Sequence, residues 1–387
     1  IEKKNTSLKG ALPNNYFSRL NIDNSKLAAL LDIINNIDLI SDKSKDVVGR
    51  VYEYFLKQFS ITEKNMKGEF YTPKCLVNLI AELIEPYQGI IYDPCCGTGG
   101  MFVQSMQFIE AHKGNKKNVA IYGQENISTT YKLARMNLAV RGILANLGDS
   151  AADSFTKDQH KLLKADFIMA NPPFNLKSWR AENELNNDHR WAGYETPPVS
   201  NANYAWVLHI ISKLSENGTA GFLLANGALD DPDTFKIRKQ LIENDLIEGI
   251  ITLPRETFYS TDISVTLWII TKNKKSRNLK NPINARALKD RSNQIFFADL
   301  RRWGSEVEKR FIELKDKDIN KLKNLFHSWQ EGANYKDLAE TCKSVKIDDL
   351  KEKNYSLKCS DYIEFINKDS AMNYDIEMKR IKKEFAN

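Results

Sequence analysis

The sequence of 387 residues predicts an α/β fold: a doubly wound, Rossmann-like sheet with an antiparallel edge strand, plus helical N-terminal and C-terminal parts. The first observation is that short apolar runs alternate with helical periodicity between residues 90 and 271, which favours a mainly parallel sheet covered by helices. The second is that only "PRETFYSTDI" separates the last two of these runs. Because a parallel crossover needs about a dozen residues or more, we expect these two strands to pair antiparallel at the sheet edge.

The individual elements follow from the spacing of the apolar residues. Strands are expected at 90–92, 119–123, 166–170, 221–225, 246–253, 265–271 and, last, 294–298. Helices are expected at 73–83, 99–112, 128–141, 202–216 and 234–244, where apolar residues recur every three or four positions.

The segments that flank the sheet carry helical spacing, which is clearest over 25–40 and 46–59. We therefore expect three regions: a helical N-terminal region (1–67), the α/β domain (68–304) and a mostly helical C-terminal tail (305–387). Residues 272–291 are polar and basic, and are expected to form a solvated loop. The chain starts at Ile1 with neither Met nor a signal-peptide pattern, so we expect a fragment or a processed start.

Composition narrows the class of protein. The net charge of +6 and the pI of about 8.8 are only a weak indication of nucleic-acid binding. No apolar run approaches the roughly 20 residues of a membrane span. The five cysteines are odd in number and form no paired CxxC pattern, so we expect reduced thiols and no metal site.

The stretch "IIYDPCCGTGGMF" reads as a strand, a carboxylate and a glycine-rich turn that opens a helix. Glycines allow close backbone approach to a ligand, and a helix start offers free N–H groups. The dinucleotide fingerprint fails because Phe102 stands where its third glycine is required, and no Walker lysine follows. We therefore expect a ligand without phosphates, held by Asp93, Pro94, Gly97, Thr98, Gly99 and Gly100.

Two further acids are expected at strand ends. Glu125 follows the second strand, where an acid can accept both hydroxyls of a ribose. Asp149 follows a third strand and can accept a hydrogen bond from a nucleobase amino group. Together with Asp93, these acids predict an adenosine pocket beside the topological switch point of the sheet.

The stretch "FIMANPPFN" places an amide, two prolines and a ring directly after a buried strand. A strand-end amide next to the adenosine pocket suggests a second planar substrate that bears an amino group, such as adenine. The amino nitrogen of adenine is a poor nucleophile, because its lone pair is delocalised into the ring. The Asn171 side-chain oxygen and the Pro172 carbonyl would accept hydrogen bonds from the two N–H groups of this amine. Pro173 keeps the Pro172 carbonyl rigid. Phe174 offers a face on which a flipped base can stack. Methyl transfer to this nitrogen needs in-line positioning and no strong base.

Several stretches form a recognisable pattern along the chain. In order they are "DVVGRVYEYFLKQF", "GEFYTP", "DPCCGTGG", "IYGQENISTTYKLARMNLAVRGI", "FIMANPPFN", "SNANYAWVLHIISKL", "GFLLANGAL", "IRKQLIENDLIEGIITLP" and "NYSL". They resemble the modification (methyltransferase) subunit of type I restriction-modification systems, over about residues 25–365. The family's full-length chains have a longer N-terminal helical region, so this chain looks incomplete there.

The resemblance implies a site-specific, adenine-specific DNA methyltransferase. The glycine loop and Glu125 would hold S-adenosylmethionine, and Asn171, next to the cofactor, would act with Pro172, Pro173 and Phe174 on the N6 amino group of adenine. It also implies that "GEFYTP" packs over the methionine part of the cofactor, through Phe70, Tyr71, Thr72 and Pro73.

The implied partners are double-stranded DNA, a separate specificity subunit that reads the target, a second methylase subunit and the restriction subunit, with no membrane. The implied location is cytoplasmic. The N-terminal helices and the tail from about residue 305 would then be contact surfaces for the other subunits.

Other interpretations remain open at this point. The chain could be a self-contained adenine methylase, or one joined to its own nuclease or DNA reader. The same Asn-Pro-Pro-aromatic motif also serves methylation of a glutamine in release factors and of bases in ribosomal RNA. A non-catalytic binding subunit that keeps the fold is a further class. The long loop 176–200 either covers the flipped base or lies along DNA.

Overall fold

A computed structural model describes residues 2–5, 8–12, 22–36, 54, 72–258, 263–279, 285–308, 311–366 and 378. The predicted helix over 46–59 lies outside these residues apart from Tyr54, and so do Phe70 and Tyr71. Within the described part, no helix has the length and hydropathy needed to cross a bilayer.

The described helices agree closely with the predicted ones. They are α1 (Asn24–Asn35), α2 (Lys74–Ile84), α3 (Gly100–Ala111), α4 (Ser128–Val140), α5 (Asn203–Lys213), α6 (Phe235–Glu243), α7 (Asp316–Glu331) and α8 (Ile347–Glu352).

The strands are β1 (Gly89–Asp93), β2 (Val119–Gly123), β3 (Ala145–Asn146), β4 (Ala165–Ala170), β5 (Leu214–Ala225), β6 (Ile247–Thr252), β7 (Val265–Thr271), β8 (Arg277–Leu279), β9 (Arg286–Leu288), β10 (Gln294–Asp299), β11 (Ser305–Glu308), β12 (Phe311–Glu313) and β13 (Cys342–Lys346). Strand β5 is longer than predicted, because residues 214–216 leave the predicted helix and join the sheet.

Nine of the described strands form one mixed sheet in the order β13-β10-β6-β7-β5-β4-β1-β2-β3, and β8–β9 and β11–β12 form two separate two-stranded sheets. Strands β1 to β5 pair in parallel with one another, and β5 pairs antiparallel with β7 on its other side. The predicted fold class is therefore confirmed. The β6–β7 antiparallel pair is also confirmed, but β10 and β13 continue the sheet beyond it, and the outermost strand β13 is itself antiparallel.

Alternating side chains of the central strands feed two hydrophobic cores, one on each face of the sheet. Met169 points to the face that α2, α3, α4 and α7 cover. Its neighbours Ile168 and Ala170 point to the opposite face, which α5, α6 and α8 cover. This period of two is what a strand buried on both faces requires.

The prediction that residues 272–291 form a solvated loop is wrong for the residues of this segment that the structure describes. Strands β8 and β9 pair antiparallel there, and three cations of the segment are buried: Lys274, Arg286 and Arg291. Arg291 Nε donates to Glu248 Oε1 at 2.7 Å, and Arg286 Nη1 donates to Glu85 Oε2 at 2.5 Å. Buried charges of this kind persist because each has a partner of opposite sign.

The structure also differs from the predicted boundary at residue 304. Residues 342–346 form β13 and pair antiparallel with β10, so this part of the tail completes the central sheet. Helix α7 packs on the same end, where Trp329 lies 5.6 Å from Phe296, ring centre to ring centre. The described tail therefore belongs structurally to the α/β domain.

Candidate active site

The glycine loop connects the end of β1 to the start of α3. Gly97 and Gly99 have φ values of +54° and +81°, in the left-handed region that glycine adopts at least cost. Two backbone hydrogen bonds join the loop to Gln124, the residue directly after β2. Cys96 N–H donates to the Gln124 carbonyl, and Gln124 N–H donates to the Asp93 carbonyl. Gly99 is the N-cap of α3 and has no side chain to cap it, so the helix start suits an anionic or carbonyl ligand group.

Asp93 lies under this loop and is 1% exposed. Burial raises the pKa of its carboxyl to about 7, and the nearby charge of Glu125 also raises this pKa. A hydrogen bond from Cys95 N–H, 3.0 Å long, lowers the pKa and so opposes the rise. A buried acid that titrates near neutrality is a common feature of functional sites. A bound cation would favour its ionised form.

Glu125 joins the loop to the end of β2. Its Oε2 accepts from Gly97 N–H at 2.9 Å, and its Oε1 accepts from Ile127 N–H at 2.7 Å. A carboxylate can accept about four hydrogen bonds, which makes this buried side chain compatible with ribose hydroxyls at the same edge. The glycine loop and Glu125 therefore lie next to each other, as the sequence predicts.

The remaining predicted cofactor residues lie around the same edge. Asp149 follows β3 and is exposed, and its N–H donates to Gln159 Oε1 at 2.9 Å. The carbonyl of Thr98 accepts from Asn137 Nδ2 of α4 at 2.8 Å, and that of Pro94 accepts from Ser154 Oγ. Asn137 and Ser154 were not singled out from the sequence, since single polar residues carry no local signal.

Asn171 stands at the end of β4, next to β1, where the strand order reverses. Its Nδ2 donates to Thr72 Oγ1 at 3.0 Å, which fixes the orientation of the amide. Its Oδ1 is buried and has no hydrogen-bond partner among the described residues. Such an acceptor costs about 1–3 kcal/mol to leave unsatisfied, so it marks a place where a donor from outside the described residues fits.

The contact of Thr72 adds to its predicted role. The sequence predicts a cofactor contact for Thr72, and in the structure its hydroxyl accepts from the Asn171 amide. Pro73 precedes α2 and is buried. Phe70 and Tyr71, the other two residues predicted here, lie outside the described residues.

The motif continues through Pro172, which is buried, and through Pro173 and Phe174, which are half-buried. The Phe174 ring meets Phe258 edge to face, with 5.6 Å between ring centres. This contact orients the Phe174 ring. The role of the ring in base stacking stays a prediction.

Replacing Phe174 with alanine is expected to weaken binding of the target base by roughly 1–3 kcal/mol, because a stacking face is lost. A fluorescent adenine analogue at the target position reports this as a smaller rise in fluorescence on complex formation. Phe167→Ala, which changes a half-buried phenylalanine of β4, the strand that precedes the motif, is the control for general packing loss. Equal fluorescence rises in Phe174→Ala and the parent would mean that the ring only packs against Phe258.

The loop 176–200 is packed from within. Trp179 and Trp191 are buried, and Arg180 donates to the carbonyls of several loop residues. Its exposed charges include three acids, Glu182, Glu184 and Glu195. Acids repel phosphates, so of the two hypotheses for this loop, a course along the DNA backbone is the less favoured.

A mostly parallel sheet with a glycine turn, buried acids and a strand-end amide at one edge is the arrangement of S-adenosylmethionine-dependent methyltransferases, and the chain is of that class. The residues fit that cofactor: a buried acid, a glycine turn and a helix start converge at one edge.

Residues 43–370 match the sequence profile of the N-6 DNA Methylase family. The HindI methylase subunit of a type I restriction enzyme from Haemophilus influenzae is 40% identical over 94% of this chain and 80% of its own length. The MjaIX methylase subunit from Methanocaldococcus jannaschii is 32% identical over 99% of this chain and 67% of its own length. A methyltransferase subunit of a type I restriction-modification system from Streptococcus thermophilus has a TM-score of 0.74 and 26% identity, over 88% of this chain and 68% of that one.

The chain belongs to the N-6 DNA methylase family and, within it, to the methylase subunits of type I restriction enzymes. It is accordingly an adenine-specific DNA methyltransferase that uses S-adenosylmethionine. The glutamine and ribosomal RNA alternatives are thereby removed.

Proposed function

We propose that the chain methylates the N6 amino group of adenine flipped out of double-stranded DNA, with Asn171 and Pro172 as the acceptors that activate this group. S-adenosylmethionine, when bound, supplies a methyl group on a sulfonium. The observation that carries the assignment is the buried Oδ1 of Asn171, which has no hydrogen-bond partner among the described residues and whose orientation Thr72 fixes. An acceptor that is already aimed needs no reorganisation during the reaction.

The two sides of the site have separate roles in this proposal. Asp93, Glu125, Asp149 and the loop from Pro94 to Gly100 bind the cofactor at the ends of β1, β2 and β3. Asn171 to Phe174 bind the base at the end of β4, on the other side of the switch point. Phe70, Tyr71 and Thr72 complete the cofactor side. The sheet therefore brings the methyl donor and its acceptor together by its strand order alone.

Selection of the target sequence is assigned to other subunits. The resemblance implies a specificity subunit and a second methylase subunit as direct partners, with the restriction subunit joining the full assembly. The solved structures similar to this chain include one that concerns complex assembly and conformational transition of a type I restriction-modification system. Because an enzyme of this kind acts on cellular DNA, we infer a cytoplasmic location.

We expect the purified chain to bind S-adenosylmethionine but to methylate a defined DNA site poorly until the specificity subunit is added. Calorimetry measures the cofactor affinity, and transfer of a labelled methyl group to a DNA duplex with one target site measures the activity. Removal of residues 367–387 tests the tail as an assembly surface without touching β13, and should impair assembly more than cofactor binding. Robust methylation of one site by the chain alone would favour a self-contained methylase.

A further inference from the structure

Three asparagines hold the chain directly after the catalytic motif, and we call Asn175, Asn201 and Asn203 the asparagine clamp. Asn203 Oδ1 accepts from the backbone N–H of Asn175 at 3.1 Å, and Asn203 Nδ2 donates to Asn175 Oδ1 at 2.9 Å. Asn201 Nδ2 donates to the same Asn175 Oδ1 at 3.3 Å, and Asn201 Oδ1 accepts from Asn203 N–H at 2.9 Å. Three hydrogen bonds therefore join the end of the motif to the start of α5, and the fourth joins Asn201 to Asn203.

The clamp fixes a backbone conformation that is otherwise uncommon. Asn175 has φ of +54°, in the left-handed region, where asparagine is tolerated better than most residues. Asn203 is 3% exposed and is the first residue of α5, a helix whose residues are almost all buried. A rigid helix therefore sets the position of Asn175, which follows Phe174 directly in the chain.

The catalytic motif is thus held at both ends. Thr72 accepts from the Asn171 amide at its start, and Asn203 binds Asn175 at its end. Between these two anchors lie the Pro172 carbonyl and the Phe174 ring, which contact the base in the proposed function. A displacement of about 1 Å in such groups can cost roughly a hundredfold in rate.

We propose that Asn203 is a positioning residue for methyl transfer, which acts through Asn175 on the Pro172 carbonyl and the Phe174 ring. The proposal rests on the roles given to these two groups above. The side chain of Asn203 serves this contact and not the helix, because Asn175 takes up both ends of its amide. The competing explanation is that Asn203 only closes the loop 176–200, where Ala202 N–H also donates to the Leu176 carbonyl.

The first test is Asn203→Ala in the complex assembled with the specificity subunit. With cofactor and DNA saturating, the single-turnover methylation rate should fall about 10- to 100-fold, while the cofactor Kd stays within about twofold of the parent value. Ser344→Ala is the matched control, because it removes the partly buried hydrogen bond that Ser344 Oγ accepts from the Trp329 indole in the outer part of the sheet. Its thermal stability should fall while its methylation rate stays at the parent value.

The second test is Asn203→Asp, whose rate is measured against pH. When neutral, this carboxyl can accept from Asn175 N–H and donate to Asn175 Oδ1, as the amide does. When ionised, it loses the donor and faces an acceptor, so the rate should fall as pH rises through a carboxyl pKa that burial raises. The ratio of the Asn203→Asp rate to the parent rate should therefore decline with pH.

Two outcomes would overturn the proposal. One is a single-turnover rate for Asn203→Ala equal to that of the parent. The other is a rate ratio for Asn203→Asp that is flat with pH. If the parent complex itself fails to methylate adenine, the proposed function fails first, and that result is separate from either outcome.

Discussion

Replacement of Asn171 with alanine is expected to abolish methyl transfer while cofactor affinity stays nearly unchanged. The amide oxygen accepts from the adenine amino group in the proposed site, and removal of one preorganised group of this kind typically costs roughly a hundred- to a thousandfold in rate. The side chain has its described contact with Thr72 and none with the glycine loop, so the cofactor pocket should keep its shape. Transfer of a labelled methyl group in single turnover and calorimetry with S-adenosylmethionine measure the two quantities separately.

Asn273→Ala is the matched control for this change. Asn273 also bonds through its amide, with Nδ2 donating to Asn217 Oδ1 at 2.7 Å, but it follows β7 at the opposite edge of the sheet. Its loss should leave the rate of methyl transfer at the parent value. An Asn171→Ala enzyme that retains most of its activity would remove the role assigned to the motif.

Glu125→Gln is expected to weaken S-adenosylmethionine binding roughly ten- to a hundredfold, because a charged acceptor contributes about 1.5–3 kcal/mol per hydrogen bond. Glu248→Gln is the paired control: it changes another buried glutamate, the partner of Arg291, at the opposite edge of the sheet. Calorimetry should show a weaker cofactor affinity for the first variant only. Equal affinities in both variants would mean that Glu125 serves the glycine loop alone.

Cofactor binding should also depend on pH through Asp93. The pKa of this carboxyl is about 7, so below that pH the free protein holds the acid in its neutral form. S-adenosylmethionine is cationic and favours the ionised acid, so its affinity should fall as pH drops below about 7, by at most about tenfold per pH unit. Asp93→Asn should bind more weakly near pH 8 and lose this dependence. A parent affinity that is constant between about pH 6 and about pH 7.5 would contradict the direct role of Asp93.

The strands around the cofactor were predictable because their signals are local. Strand β2 begins and ends at the residues expected from the sequence, and the turns after β1 and β4 are marked by glycine and proline. Each of these features depends on a few adjacent residues, whose conformational preferences are strong. The same local signals led to Asp93, Glu125 and Asn171.

What the sequence could not reveal depends on contacts between distant residues. Arg286 and Arg291 look like surface cations in the sequence and are buried only because Glu85 and Glu248 meet them. Charged residues are exposed in most proteins, so composition points the wrong way at such sites. The asparagine clamp could not be predicted for a related reason. Asn175 and Asn203 are far apart in the sequence, and they meet only because the loop 176–200 folds back.

The late position of β13 in the chain has a consequence for how the protein is made. When β10 leaves the ribosome, its partner β13, which begins at Cys342, has not yet been synthesised. At about 5–20 residues per second, one side of β10 stays unpaired for some seconds. Phe296 and Phe297, on opposite faces of that strand, are then without their later cover. An unpaired, apolar strand edge can recruit other chains, so we expect the newly made chain to be prone to aggregation until β13 pairs with β10.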